Sequence, residues 1–578
     1  MKSLLRPVLR SQLFQTLSHL WPYMKPETRV LALAFAATLG LTVVELSMPI
    51  LIGMFVDSLL SQMQGRPDST PAGPGQRTIL ILLAVAAVGR GYFLYQQRSL
   101  AGQAGQRVTA RMRNAVWTHL QRLPLNYTER RGPGRLLVRF ISDSKAIQTL
   151  VSRRLVQLIQ DTMVVAGVMG VLIYFDVFMG LAALAMLPLV ALVFWRWNPK
   201  LQEASRDTRR RRVKLSAHLE QRIGGLSAVK AHGRESRERK RVEKLNRRVA
   251  REGARQEVAG GKLLGASAGV VALVTVLAMS LAGMEVSAGR LTAGELVTFY
   301  TLIGLLAPVF QRVTITDRTL QQAEISVQRL VQTLSEEPEE PDEDLPDLAV
   351  EEGVVRAEGV SYEYPDGTVA LRDVSFEARR GELVAITGPN GAGKSTLLDL
   401  VPLFRRPTRG RILIDGQDNT AVSPKSLRSQ VGIATTSTPL FDGTLYENVA
   451  YGARDEDPEE QVMRAARLSG VDELAESLPD GWETKLREGR RGLSRGERLR
   501  VVLARVLAAD PPIILLDEVD SVLSPETLRE LAREKTVVAV TGGAAAYAAD
   551  RVYRLEPVGM QGNAAVGAAT DHPDDDDE

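Results

Sequence analysis

The sequence predicts two fold classes in one chain: an all-α domain of six transmembrane helices, then an α/β domain of the phosphate-loop type. Three observations carry this. The long apolar runs all lie before about residue 320 on a membrane-length window. An acidic, proline-containing stretch follows, beginning Ser335-Glu336-Glu337-Pro338, which cannot bury a core. Beyond it, short β-rich runs alternate with helical ones, and one run ends in a glycine-rich loop. The average hydrophobic fraction of 45% hides this asymmetry between the halves.

Taken in order, residues 11–25 mix apolar, polar and aromatic side chains (Phe14, Trp21, Tyr23), as in a helix lying at a membrane surface. Nothing between Met1 and Met24 forms the apolar core of a cleaved signal, so the first span serves as the insertion signal. Apolar stretches at roughly 30–56, 78–97, 155–175, 177–198, 263–284 and 296–316 each suffice for about 30 Å of hydrocarbon. The third and fourth meet at Phe175-Asp176-Val177, leaving no room for an outside domain. The polar stretches near 98–154 and 199–262 are long and rich in Arg and Lys, so they face the cytoplasm. Both carry helical patterning and are broken, at Pro124 and Gly132-Pro133-Gly134 in the first and at Gly224-Gly225 in the second. Two helices there turn around a short transverse one. Trp195-Arg196-Trp197 is an aromatic and basic anchor at the inner interface. The predicted domains are 1–330 for the membrane part, 331–350 for the acidic linker, 351–558 for the α/β domain and 559–578 for an acidic, disordered tail.

Composition narrows the function. A net charge of +4 and a pI near 9.1 would by themselves suggest nucleic acid, but the basic residues lie between apolar helices, so no nucleic-acid partner is expected. With no cysteine, disulfide, zinc-thiolate and thiol chemistry are excluded.

The chemistry lies in the second half. Leu383-Val384-Ala385-Ile386-Thr387 is a buried-strand run. It is followed by Gly388-Pro389-Asn390-Gly391-Ala392-Gly393-Lys394-Ser395-Thr396 and helical Leu397-Leu398-Asp399-Leu400. That is a complete phosphate-binding loop in its strand–loop–helix setting. The glycines let backbone N–H groups face phosphate oxygens, and the helix dipole adds to this. Lys394 reaches the β- and γ-phosphates of ATP, and Ser395 ligates Mg²⁺. Ile513-Ile514-Leu515-Leu516 ends in two acids: Asp517 for Mg²⁺, and Glu518 to polarise the attacking water as catalytic general base.

These motifs make the chain resemble the ABC exporters that fuse six membrane helices to one ATP-binding cassette, over nearly its whole length. Leu493-Ser494-Arg495-Gly496-Glu497-Arg498 resembles the family's LSGGQ signature, with Ser494 and Gly496 as its phosphate contacts. Val360-Ser361-Tyr362-Glu363-Tyr364 resembles the strand whose aromatic stacks on adenine, making Tyr364 the stacking candidate; an ordinary strand aromatic is the other reading. Leu291-Thr292-Ala293-Gly294-Glu295-Leu296 resembles the turn before the sixth helix. The resemblance implies head-to-tail cassettes, each ATP lying between one phosphate loop and the other chain's signature. It also implies an integral, multi-pass protein of the bacterial inner membrane, with the cassette in the cytoplasm.

The departures from the family pattern matter too. Thr436 stands where the family has a Gln that ligates Mg²⁺, Gly542 where it has the switch His, and Ser524 where it has an Asp. Arg495 replaces a Gly, and Glu497 a Gln. These losses suggest a heterodimer with a less degenerate second half-transporter, rather than a homodimer with a tolerant site, or a mainly regulatory ATP-binding subunit whose partner hydrolyses. The expected cargo is lipid, peptide or hydrophobic drug, with membrane lipid as the surroundings. The apolar spans argue against a soluble DNA-repair ATPase, and fusion in one chain against an importer. Glu45, Arg90 and Asp161 lie inside the first three spans, at roughly 18–23 Å depth. Arg90 is expected to pair with Glu45 or Asp161, either as a structural ion pair or as a polar patch in the substrate cavity.

Overall fold

In the computed structural model the described residues are 7–63, 75–339, 345–454, 459–486, 493–518, 522–542, 546, 548–558 and 567–568. Most of the acidic tail and part of the linker lie outside them. Two compact units form, one of Met1–Leu120 with Gly134–Glu336, the other of Gln121–Pro133 with Glu337–Glu578.

The first unit is helical, in agreement with the predicted class. Its helices and the short ones between them are α1 (Pro7–Met24), α2 (Thr28–Met63), α3 (Gln76–Gln121), α4 (Leu125–Arg131, in the second unit), α5 (Pro133–Phe175), α6 (Val177–Gly224), α7 (Leu226–Ala231), α8 (Glu235–Ser287) and α9 (Ala293–Leu334). Among the described residues, Gln15–Met63, α3, α5 and α8 are long and apolar enough to cross a membrane, and Ala293–Leu306 is a shorter apolar stretch. The 46 residues of α3 make a rod of about 70 Å, more than twice the hydrocarbon thickness. Asp176 alone separates α5 from α6, held extended at φ −155°. Pro124 caps α4, and Gly132 ends it in the left-handed region at φ 74°.

Two clusters hold this unit. Val168, Leu172, Leu302 and Leu306 are buried in one, and Leu20, Met112, Ile147, Leu150 and Leu330 in the other. The start of α9 is fixed by a capping box: the Thr292 hydroxyl accepts from the Glu295 N–H at 3.0 Å, and the Glu295 carboxylate from the Thr292 N–H at 2.8 Å. There α2 and α9 approach backbone to backbone, since a Cβ on Gly294 would lie 2.1 Å from the Gly53 carbonyl oxygen.

The intramembrane charges are paired. Arg90 Nε lies 3.6 Å from Glu45. Asp161 does not take Arg90; it takes Arg312 of α9, whose Nη2 donates at 2.6 Å and whose Nε donates at 3.2 Å. Between the pairs, Gln97 donates to Thr38 at 3.0 Å and to Gln160 at 3.1 Å. Gln160 in turn donates to Glu45 at 3.4 Å.

The second unit is α/β. Its strands are β1 (Val355–Glu363), β2 (Val369–Ala378), β3 (Leu383–Thr387), β4 (Arg409–Ile414), β5 (Gln417–Asp418), β6 (Val431–Ala434), β7 (Gly443–Thr444), β8 (Lys485–Leu486), β9 (Ile513–Asp517), β10 (Thr536–Val540), β11 (Arg551–Arg554) and β12 (Gly567–Ala568). Its helices are α10 (Lys394–Leu400), α11 (Pro424–Gln430), α12 (Leu445–Ala450), α13 (Glu459–Ser469), α14 (Val471–Ser477), α15 (Arg495–Ala508) and α16 (Pro525–Ala532). The main sheet runs β12-β11-β3-β10-β9-β6, parallel except at β12, and a smaller antiparallel sheet runs β2-β1-β4-β5. Alternation splits each central strand between two cores: Ile514, Leu516, Val537 and Ala539 face one, while Ile513, Leu515, Val538 and Val540 face the other. Both faces being covered, the strands read as continuous apolar runs.

Gln121–Pro133 joins this unit although the sequence places it inside the predicted membrane domain, 1–330. The Glu339 N–H donates to the Arg122 carbonyl at 2.6 Å, and Arg405 bonds Glu129 at 2.9 Å.

Candidate nucleotide site

The register of the main sheet assembles the site. Ile386 of β3 pairs with Val540 of β10, and Val540 with Asp517 of β9. The parallel strands therefore end on one edge, where open α/β sheets bind ligands. The loop from Gly388 to Gly393 leaves β3 at that edge and enters α10. Gly393 sits at φ 89°, where L side chains are strained, and a Cβ there would meet the Ala370 carbonyl at 2.5 Å.

Lys394 Nζ folds back over the loop, donating to the carbonyls of Gly388 at 2.8 Å and Pro389 at 3.0 Å. The Ser395 hydroxyl donates to Asp517 Oδ2 at 2.6 Å. Asp517 is 8% exposed. Burial, and then the neighbouring Glu518 charge, push its carboxyl above the usual aspartate range, against the Ser395 hydrogen bond and Lys394, which pull it down. A hydroxyl and a buried carboxylate short of positive charge form the hard-oxygen pair that Mg²⁺ accepts alongside water and phosphate oxygens. The described residues hold no cluster of three or more His, Cys, Asp or Glu suited to a metal.

Glu518 has φ 59°, a left-handed conformation rare outside glycine, and its N–H donates to the Val540 carbonyl at 3.2 Å. Its carboxylate is half exposed. Two residues that depart from the family pattern meet on it: Thr436 donates to Glu518 Oε2 at 3.0 Å, and Arg495 pairs with the same oxygen. Arg495 also reaches the Thr436 hydroxyl at 3.2 Å. The sequence marks all three residues but not their convergence.

Tyr364 stands beside the loop. Its hydroxyl is 2.9 Å from Thr396 Oγ1, and the Arg405 guanidinium lies 5.3 Å from its ring centre. Arg405, which no sequence motif singles out, also binds Asp399 at 3.1 Å. The turn Gly367 N–H to Tyr364 carbonyl, 2.9 Å, fixes the ring between β1 and β2.

Ser494 and Gly496 lie at the start of α15, and the Ser494 hydroxyl stays within its own turn. It accepts from the Glu497 N–H at 3.3 Å while the Glu497 carboxylate accepts from the Ser494 N–H at 2.6 Å. Glu497 thus completes a capping box, and its charge favours the positive end of α15. Ser524 likewise caps α16, accepting from the Thr527 N–H at 3.2 Å. At Gly542 a Cβ would meet nothing within 4 Å.

Known proteins similar to this chain share its two-part organisation. Residues 31–309 match the ABC transporter transmembrane region, and 371–521 match the ABC transporter family. A fatty acid ABC transporter ATP-binding/permease protein of Mycobacterium bovis is 32% identical over 468 residues, covering 80% of this chain and 74% of the relative. An ATP-dependent lipid A-core flippase of Ralstonia nicotianae is 28% identical over 89% of this chain and 86% of its own. The solved structure of a bacterial Atm1-family ABC exporter with ATP bound superposes with a TM-score of 0.73 at 26% identity, covering 96% of this chain and 95% of that one.

Proposed function

Because the chain belongs to the ABC exporters, as an ATP-hydrolysing half-transporter with its membrane region and cassette in one polypeptide, we propose that it moves an amphipathic, lipid-like molecule outward across the membrane. Its place is that of a multi-pass protein, working in a dimer. The observation that carries the ATP chemistry is the single edge on which Lys394, Ser395, Asp517 and Glu518 meet.

In this reading the loop from Gly388 to Thr396, through Pro389, Asn390, Gly391, Ala392 and Gly393, turns its backbone N–H groups to the phosphates. Lys394 exchanges its two carbonyl acceptors for β- and γ-phosphate oxygens, so binding replaces hydrogen bonds rather than adding a free charge. Mg²⁺, held by Ser395 and Asp517, neutralises phosphate charge when bound. Tyr364 stacks on the adenine from its face opposite Arg405. Glu518 takes the proton of the attacking water. Ser494 and Gly496 cover the nucleotide of the partner chain.

The partner we propose is a different half-transporter with a less altered cassette. Support comes from Arg495 and Thr436, which both occupy the oxygen that Glu518 needs as a base. A partner with a free glutamate then turns over faster, and this chain's site is the slower of the two. Lipid-like cargo is supported by the named cargoes of the two relatives, fatty acid and lipid A-core. The network Arg90–Glu45–Gln160–Gln97 offers polar contacts to a headgroup inside an apolar bundle.

The test is purification alone and with a co-expressed neighbouring half-transporter, followed by subunit stoichiometry, ATP turnover and efflux of fluorescent fatty acid or phospholipid from proteoliposomes. A homodimer that turns over and transports at full rate alone refutes the heterodimer. ATP turnover that no lipid-like compound stimulates, but a peptide does, refutes the cargo.

A further inference from the structure

Where α6 packs against α8, the surface holds a cleft that the ATP cycle does not use. Trp197 and Lys200 line it from α6, and Arg251, Arg255, Val258 and Lys262 from α8, around about 450 Å³. That volume falls in the range of small-ligand sites. Lys200 Nζ lies 5.0 Å from the Trp197 ring centre, Lys262 Nζ 6.0 Å and the Arg196 guanidinium 5.9 Å, so cations gather around one indole. Among the described residues, Arg255 is the one lining cation with an ion-pair carboxylate, Glu252 at 3.1 Å. The cleft therefore carries an excess of positive charge.

Its position selects the ligand. On one side the exposed surface is apolar, with Leu192 and Leu264 more than half exposed. On the other lies the basic stretch of α8 from Arg237 to Arg251. The cleft sits at this change, where Trp and Lys mark a membrane interface. Lys262 and Arg255 are seven residues apart, on one helix face and about 10 Å from each other along the axis. Val258, 57% exposed, lies between them and gives the cleft an apolar floor.

We infer that this cleft holds an anionic glycerophospholipid of the cytoplasmic leaflet. Its phosphate lies among Lys200, Arg255 and Lys262, and its first acyl carbons lie on Val258 and the Trp197 ring. A zwitterionic lipid is selected against, because its ammonium group would face the remaining cations. Basic clefts between membrane helices on the cytoplasmic side suit anionic headgroups.

The test uses the full chain in nanodiscs of phosphatidylcholine containing a minor fraction of either phosphatidylglycerol or phosphatidylcholine brominated near the headgroup end of its chains. The Trp197 signal is the fluorescence difference between wild type and Trp197→Phe. Brominated phosphatidylglycerol is expected to quench it more strongly than brominated phosphatidylcholine. The triple variant Lys200→Ser, Arg255→Ser, Lys262→Ser should lower apparent affinity for phosphatidylglycerol by about tenfold or more, from the attraction each basic residue adds near a charged surface. Arg239→Ser, Lys240→Ser, Arg241→Ser removes equal charge from the same helix and should keep the preference. If the triple variant fails to fold, Lys200→Ser alone and competition by unlabelled phosphatidylglycerol give the same reading. Equal quenching by the two lipids, a preference surviving in the site variants, or release of the quench by inorganic phosphate overturns the assignment.

Discussion

Replacing Arg495 by Gly tests whether this cassette restrains the base proposed at Glu518. In the structure the Arg495 guanidinium and the Thr436 hydroxyl share Glu518 Oε2, the latter at 3.0 Å. A general base needs that lone pair free to accept a proton. The pair is open to solvent, with side-chain exposures of 70% for Arg495 and 52% for Glu518. Its strength therefore belongs to the surface class, about 0.2–1 kcal/mol. At 1.36 kcal/mol per factor of ten, releasing it raises the fraction of free base, and basal turnover with it, by about 1.4- to 5-fold. The assay is phosphate release by the purified full chain in detergent, at low and at high salt. Salt shortens the screening length to about 4 Å near 0.5 M, so wild type should gain from it and Arg495→Gly should not. Thr436→Val, which removes the neutral donor but leaves the Arg495 pair, should give a smaller rise and keep the wild-type salt response. An Arg495→Gly protein with turnover at or below wild type, and with the wild-type salt response, refutes the restraint.

Other substitutions probe the rest of the molecule. Lys394→Ala should weaken ATP binding by tenfold or more, about the loss of a charge-assisted contact, measured by nucleotide titration, while Glu518→Gln should keep affinity and accumulate bound ATP. Asp517→Asn removes a buried carboxylate that lacks charge compensation, so melting without Mg²⁺ should hold or rise while the stabilisation by Mg²⁺-ATP is lost. Arg312→Ala leaves buried Asp161 unpaired and should cost about 3 kcal/mol, with Asp161→Asn restoring part of it in denaturation of the detergent-solubilised protein; strictly additive losses would count against the pair. Gly542→His should change the melting temperature little, since a Cβ there meets nothing within 4 Å, and combined with Thr436→Gln it should raise turnover.

Local chemistry explains which parts were legible. Proline and glycine punctuate the chain at short range, so the breaks at Pro124 and Gly132 around α4 and the single-residue joint at Asp176 stand in the sequence. The phosphate loop is legible for the same reason: its glycines are demanded by backbone geometry over nine consecutive residues. Long-range pairing is not. Asp161 and Arg312 are 151 residues apart, and only the packing of α5 on α9 decides that Arg312 takes the carboxylate. Glu497 and Ser524 show a different limit. Each looks like a damaged functional position when set against the family pattern, yet each satisfies the orphan N–H groups of a helix start. The Ser494-x-x-Glu497 spacing already spells a capping box, but the signature resemblance draws attention elsewhere.

Arg405 has a consequence for what the cassette can distinguish. Its guanidinium lies 5.3 Å from the Tyr364 ring centre and also binds Glu129 on α4 at 2.9 Å, with only 13% of the side chain exposed. One cation thus joins the aromatic ring proposed for the base with the short helix that interrupts the first basic stretch. With adenine on Tyr364 as proposed, inorganic triphosphate would fill the loop and leave that ring bare, whereas a whole nucleotide would cover both. In that reading a single side chain ties the short helix to the ring that receives the base, so the helix would answer to a fuel molecule differently from its anionic fragment.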